Sequence, residues 1–213
     1  AREVAYHQWL QWLLDRQLAA AATALPLVQD IPIGVSPKGA DAWIWQELLA
    51  DQCTIGAPPD AFNTQGQDWA MPPLVPHKFR AAGYEPFIQT IRGALRHAKG
   101  LRIDHVMGLF RLFWIPQGLG PTQGTYVRYH ADELLAILAV ESQRSGSFVV
   151  GEDLGTVEAD TRRGLAEHQV QSFRVLMFEQ QVPPDRSCAA VVVALAEHQQ
   201  LRAPPVAPSR ARR

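Results

Sequence analysis

The sequence predicts an α/β fold built on a parallel sheet, and three observations carry that reading. Helical and strand-like segments alternate along the chain, as they do where crossover helices join parallel strands. Successive strand-like segments end on acids: LRID at Asp104, FVVGED at Glu152 and SFRVLMFE at Glu179. Neither a GxGxxG nor a phosphate-loop glycine pattern occurs. Acids at consecutive strand ends suit a closed (β/α)8 barrel, whose active site lies at that face. An open doubly wound sheet is the alternative, and the missing glycine pattern weighs against its nucleotide-binding form.

From Val4 to Ala24, Tyr6, Trp9, Leu10, Leu13, Leu14 and Leu18 recur at helical intervals and predict a helix. LPLVQDIPIGV is short, apolar and β-branched, and reads as a buried strand ending near Asp30, then a turn at Pro32 and Gly34. Residues 56–76 are rich in Pro, Gly, Asn and Gln with two aromatics, the look of a long functional loop. Phe87 to Ala98 predicts a helix closed by Gly100, with LRID following as a strand. Ile115 to Thr125 reads as a Gly/Pro-rich loop, and Asp132 to Arg144 as a helix. SFVVGED, a helix over Thr161 to His168, and the strand SFRVLMFE complete the order.

Composition bounds the function. The chain has 213 residues, 47% hydrophobic and 19% charged, with a net charge of −1, enough apolar material for one sizeable core. That balance gives no electrostatic reason to expect nucleic acid or membrane as a partner. No apolar run reaches the roughly 18 residues of a bilayer span, and no signal-peptide leader is expected. Cys53 and Cys188 stand far apart in no metal or redox spacing, so a reduced, cytoplasmic setting is the expected one.

Asp104 and Glu152 are the candidate chemistry. Two carboxylates flanking a bond serve glycoside cleavage, one attacking the anomeric carbon while the other protonates the leaving oxygen. Arg102 lies two residues before Asp104, on the same side of a strand, where its charge would favour the ionised carboxylate. Glu152 follows the apolar run Phe148–Gly151, where desolvation would favour the protonated form. Either acid alone also fits a helix cap or a solvated loop acid. Asp104, His105 and Glu152 as ligands of a divalent metal form a rival reading.

The motifs HQWLQWLLDRQL, DIPIGVSPKGADAW, IGAPPDAFNTQGQDWAMPP, LRIDHVMGLFRLFWIP, GTYVR and VVGEDLGTVE are more specific than either acid alone. With them the chain resembles family 77 of the glycoside hydrolases, the amylomaltases or 4-α-glucanotransferases, over nearly all of residues 5–184. The resemblance implies a partial (β/α)8 barrel, about strands three to six of eight, with a disordered, non-family tail over 185–213. It implies Asp104 as nucleophile and Glu152 as general acid/base. The implied substrate-binding residues are Arg102, His105, Gln67 and Trp69, with Asp30 in support.

The implied reaction moves a segment of an α-1,4-glucan to the 4-hydroxyl of another glucan or of glucose, through a covalent ester and with no cofactor. Retention sets the carboxyl groups about 5–5.5 Å apart. Trp43, Trp45 and Trp114 read as core, Asp60 and Asn63 as turn residues, and Asp153 as a residue that caps or orients its neighbour. The family's third carboxylate, in a THD motif, has no counterpart in this sequence. The expectation is therefore that this chain alone turns nothing over. A hydrolase and a non-catalytic remnant are the alternatives.

Overall fold

A computed structural model describes residues 2–61, 63–154 and 157–173. The strand SFRVLMFE beyond Phe173, with Glu179, and the tail expected at 185–213 lie outside the described residues.

Helix α1 spans Arg2–Ala24 and stops where Pro26 makes the preceding residue unfavourable for helix. The first strand, β1 (Val28–Ile31), leads to a short helix α2 (Ala40–Ile44). Strands β2 (Cys53–Ala57) and β3 (Gln67–Met71) come next, then helices α3 (Pro76–Ala81) and α4 (Glu85–Leu95). Strand β4 is Gly100–Ile103, β5 Arg111–Pro116 and β6 Thr125–Arg128. Helix α5 (Ala131–Ser145), β7 (Phe148–Gly151), α6 (Ala159–Glu167) and β8 (Gln171–Ser172) follow.

Among the described residues the strands form two four-stranded sheets. One has the order β1-β4-β7-β8 with every pairing parallel, as expected from the alternation of elements. The other has the order β3-β2-β5-β6 and is antiparallel. Its strands are inserted in the first two crossovers of the parallel sheet, and α4, α5 and α6 close the three connections.

The core lies between the parallel sheet and these helices. Ile91 and Leu95 of α4 and Leu134, Leu135 and Leu138 of α5 stand at helical spacings and pack against Leu101, Ile103 and Val149. Gly146, in the left-handed region at φ 62°, ends α5, and the backbone N–H groups of Gly146 and Ser147 bond back to Gln143 and Ser142. On the outer face Glu141 is buried at 6% exposure; Arg92 grips it through Nε (2.9 Å) and Nη2 (2.8 Å), and Arg144 adds a 2.7 Å contact.

Several elements differ from the sequence reading. β1 is not buried: it is a sheet edge among the described residues, and only Ile31 is covered. The stretch 56–76 is not one loop but a β-hairpin leading into α3, and Ile115–Thr125 is bounded by strands. The hairpin strands carry polar residues on their open face and lack the apolar run of a core strand, whereas β5 does carry one, with Leu112, Phe113 and Ile115 buried. Gly100 does not cap a helix; it opens β4, where a Cβ would meet the Phe148 ring at 2.4 Å. Trp43 is 74% exposed rather than core, and Trp45 and Trp114 are half-buried.

Candidate active site

The parallel register assembles the site. Asp30 pairs with Arg102, and Arg102 with Val150; Ile103 then stands opposite Gly151. Asp104 and Glu152 are the next residues on each strand, so they leave the sheet side by side. The ladder carries through them: the Asp104 N–H donates to Ile31 O and the Glu152 N–H to Ile103 O, each at 2.9 Å.

Arg102 holds the nucleophile candidate. Its Nη1 lies 2.7 Å from both Asp30 oxygens, and its Nη2 donates to Asp104 Oδ1 at 2.9 Å. A planar guanidinium can bridge two carboxylates in this way, whereas an ammonium acts as one point charge. The hydrogen bond to Asp30, and then that to Asp104, push the Arg102 pKa above its ordinary value. Below the guanidinium lies the Phe173 ring, 5.3 Å from Cζ to centroid.

His105 occupies the left-handed region at φ 48° and ψ 60°, an uncommon backbone for a residue with a side chain. Glu152 secures this turn. Its Oε2 accepts the His105 N–H at 3.0 Å, and its carbonyl accepts the Val106 N–H at 2.9 Å. The other oxygen accepts the Leu154 N–H at 2.7 Å. Burial pushes the His105 pKa below its ordinary value, against the opposing pull of the Glu152 and Asp104 charges.

The hairpin tip reaches the same place. Gln67 and Trp69 share a face of β3, and the indole Nε1 donates to Gln67 Oε1 at 3.1 Å. The Trp69 and His105 rings meet edge to face, 5.6 Å between centroids. At the turn, the Asn63 N–H donates to Asp60 Oδ1 at 2.6 Å and the Asp60 N–H to Asn63 O at 2.9 Å, the turn role expected of both residues. Behind Asp104 and His105 opens a mostly apolar cavity of about 290 Å³, walled by Ile31, Trp45, Ile55, Phe87 and Leu112 among others.

The structure thus brings Asp30, Arg102, Asp104, His105 and Glu152 together directly, and attaches Trp69, with Gln67, through His105. Among the described residues no group of three His, Cys, Asp or Glu side chains converges as a metal site, so Asp104, His105 and Glu152 do not form one. No helix among them is long and apolar enough to cross a membrane. Two contributors escaped the sequence reading. Phe173 gave no local signal, because its contact with Arg102 reaches across the sheet. Asp153 was read only as a cap or orienter, and its partners prove to be Ser172 and Phe173 on the next strand.

Comparison with known proteins shows the family and the fold. The family model described as 4-alpha-glucanotransferase matches residues 1–200. A 4-alpha-glucanotransferase of Mycobacterium tuberculosis (strain CDC 1551 / Oshkosh) is 50% identical over 195 residues, 88% of this chain and 26% of the relative. One from Haemophilus influenzae is 42% identical over 185 residues, 84% of this chain and 26% of the relative. The crystal structure of amylomaltase from Corynebacterium glutamicum superposes with a TM-score of 0.79 at 42% identity, over 85% of this chain and 27% of that one. The amylomaltase from Streptococcus agalactiae in complex with acarbose, 23% identical, shares the fold at a TM-score of 0.70, over 80% of this chain and 36% of that one. The chain therefore spans about a quarter of the length of these curated relatives. With the motifs, the register and the family model in agreement, the chain belongs to glycoside hydrolase family 77, the 4-alpha-glucanotransferases.

Proposed function

We propose that this chain carries the nucleophile and the general acid/base of a retaining 4-α-glucanotransferase, on about strands three to six of a (β/α)8 barrel. The observation that carries the reading is the pairing across neighbouring parallel strands. Asp104 is held by Arg102, while Glu152 bonds the backbone of the residue that follows Asp104. In the reaction, the Asp104 carboxylate attacks the anomeric carbon of an α-1,4-glucan as Glu152 gives its proton to the departing oxygen. The glucosyl ester on Asp104 is then taken by the 4-hydroxyl of an acceptor glucan or glucose, and Glu152 recovers a proton.

Gln67 and Trp69 contact sugar from the hairpin, the amide through hydroxyls and the indole through the apolar ring face. His105 and Arg102 contact the sugar bound over Asp104. The barrel segment is residues 1–184, with the remainder to 213 as a tail into which the family match runs as far as residue 200, and the setting is cytoplasmic.

The sequence holds no THD carboxylate to stabilise the distorted sugar. The expected result for the 213-residue chain with maltotriose is therefore no ladder of longer and shorter glucans. α-Glucosyl fluoride, whose leaving group requires no protonation, is expected to esterify Asp104, read by peptide mass spectrometry. Asp104→Asn abolishes the label and Glu152→Gln spares it. A label on another residue, or none, refutes the assignment; a maltotriose ladder refutes inactivity of the chain alone.

A further inference from the structure

Asp153 is buried at 9% exposure beside the acid/base, yet no Lys or Arg pairs with it among the described residues. Burying a carboxylate costs free energy unless its lone pairs are satisfied. Among the described residues its partners lie at the end of β8. The Ser172 hydroxyl lies 2.7 Å from both carboxylate oxygens, and the Phe173 N–H donates to Oδ1 at 3.1 Å. The same N–H also lies 3.0 Å from Gly151 O, so the Phe173 backbone is held both by the last residue of β7 and by the carboxylate two residues beyond it. The ring of Phe173 in turn underlies the guanidinium that joins Asp30 to Asp104.

We propose that Asp153 is a positioning residue for the nucleophile: by clamping Ser172 and Phe173 it seats the Phe173 ring under Arg102 and so aims Arg102 at Asp104. The inference rests on the reading of Asp104 as nucleophile, but the contact chain it describes exists with or without turnover. Three consecutive strands take part, with Glu152 and Asp153 on the middle one. The residue next to the acid/base thereby governs the cation of its partner. Arg102 has two hydrogen-bonded carboxylates in its plane and an aromatic face below, which leaves its long side chain little rotamer freedom. Without the ring, the Asp30 contacts can persist while the Asp104 contact loosens.

The test uses the whole chain. The Arg102 Nε–H resonance, assigned by its loss in Arg102→Lys, reads the stack directly, because the Phe173 ring current displaces it from the other arginines. Asp153→Asn and Phe173→Leu are both expected to return it to the ordinary arginine position. Ser172→Ala, a milder cut of the same clamp, shifts it part-way and serves if Asp153→Asn does not fold. Glu141→Gln, which loosens an ion pair on the outer helices, leaves it in place and controls for general loss of stability.

The kinetic arm is the rate of Asp104 esterification by α-glucosyl fluoride. There the C1–O bond forms as the C1–F bond breaks and its electron pair leaves with fluoride. Asp153→Asn is expected to slow this step about tenfold at saturation, with half-saturation unchanged. An Arg102 resonance unmoved by Asp153→Asn or Ser172→Ala overturns the proposal. So does an unchanged fluoride rate, which would assign Asp153 to Glu152 instead. A wild-type chain that is never esterified refutes the proposed function, and the resonance still decides the clamp.

Discussion

Arg102 and His105 show how much of the site rests on single side chains. Arg102 bridges Asp30 and Asp104 through separate nitrogens, a geometry that a lysine cannot reproduce. Arg102→Lys is expected to slow Asp104 esterification by about a hundredfold, in a single-turnover measurement, through misplacement of the carboxylate. His105 ties the site to pH. In the unfolded chain it takes up a proton near its ordinary value of 6.5, while burial holds the folded form neutral to lower pH. The unfolded state therefore binds more protons just below that value, and stability falls as pH drops through about 6.5. Above that value the contribution is fully present. Melting temperatures followed from neutral to mildly acidic pH should show this decline, and His105→Gln should remove that component. The sequence displayed Asp104, Glu152, Arg102 and His105 because they sit in one or two short motifs. It could not display Phe173 as a partner, since nothing in a one-dimensional pattern says which residue two strands away lies under a guanidinium.

At the scale of elements, backbone approach decides as much as side-chain pattern. Gly56 sits at a register shift in the β2–β3 hairpin, and a Cβ there would stand 2.0 Å from the Gln67 carbonyl oxygen and 2.6 Å from Ile115. Gly56→Ala is expected to cost about 3 kcal/mol, measured by denaturant unfolding, because the clash is with backbone that cannot step aside. The Trp69–His105 contact should be lost with it, visible as a change in indole fluorescence. On the helical side, Glu141→Ala removes the shared partner of Arg92 and Arg144. Both arginines are about half exposed and can rehydrate, so the expected loss is only about 1–2 kcal/mol. Helices α4, α5 and α6 were legible because a helix buries one stripe at a local period. The hairpin was not, because strands open on one face carry polar residues that read as loop; the pairing of β5 with β2 joins segments far apart in the chain, which no local pattern displays.

Across the whole molecule, α1 stands apart. Its periodicity predicts a helix, and the helix is there, yet none of its residues is buried, and Tyr6, Trp9, Trp12 and Leu14 are exposed. One attachment is Asp15, which lies 2.8 Å from His97 Nε2 and 3.2 Å from Arg96 Nη1. The hydrogen bond to His97 is the largest influence holding the Asp15 carboxyl below its ordinary value. Asp15→Asn is expected to speed amide exchange along α1 while leaving α4 and α5 protected, since their burial does not depend on it.

The sequence by itself determined the element types of the longest segments and the parallel character of the main sheet, and it singled out Asp104 and Glu152 as the candidate carboxylates. Each of these is written in local spacing or in a contiguous motif. Only the tertiary structure decided the register that sets Asp104 beside Glu152, the second sheet that delivers Trp69 to His105, and the Asp153–Phe173–Arg102 chain. Those depend on contacts between residues tens of positions apart, where the choice of partner follows from the packing of the whole chain.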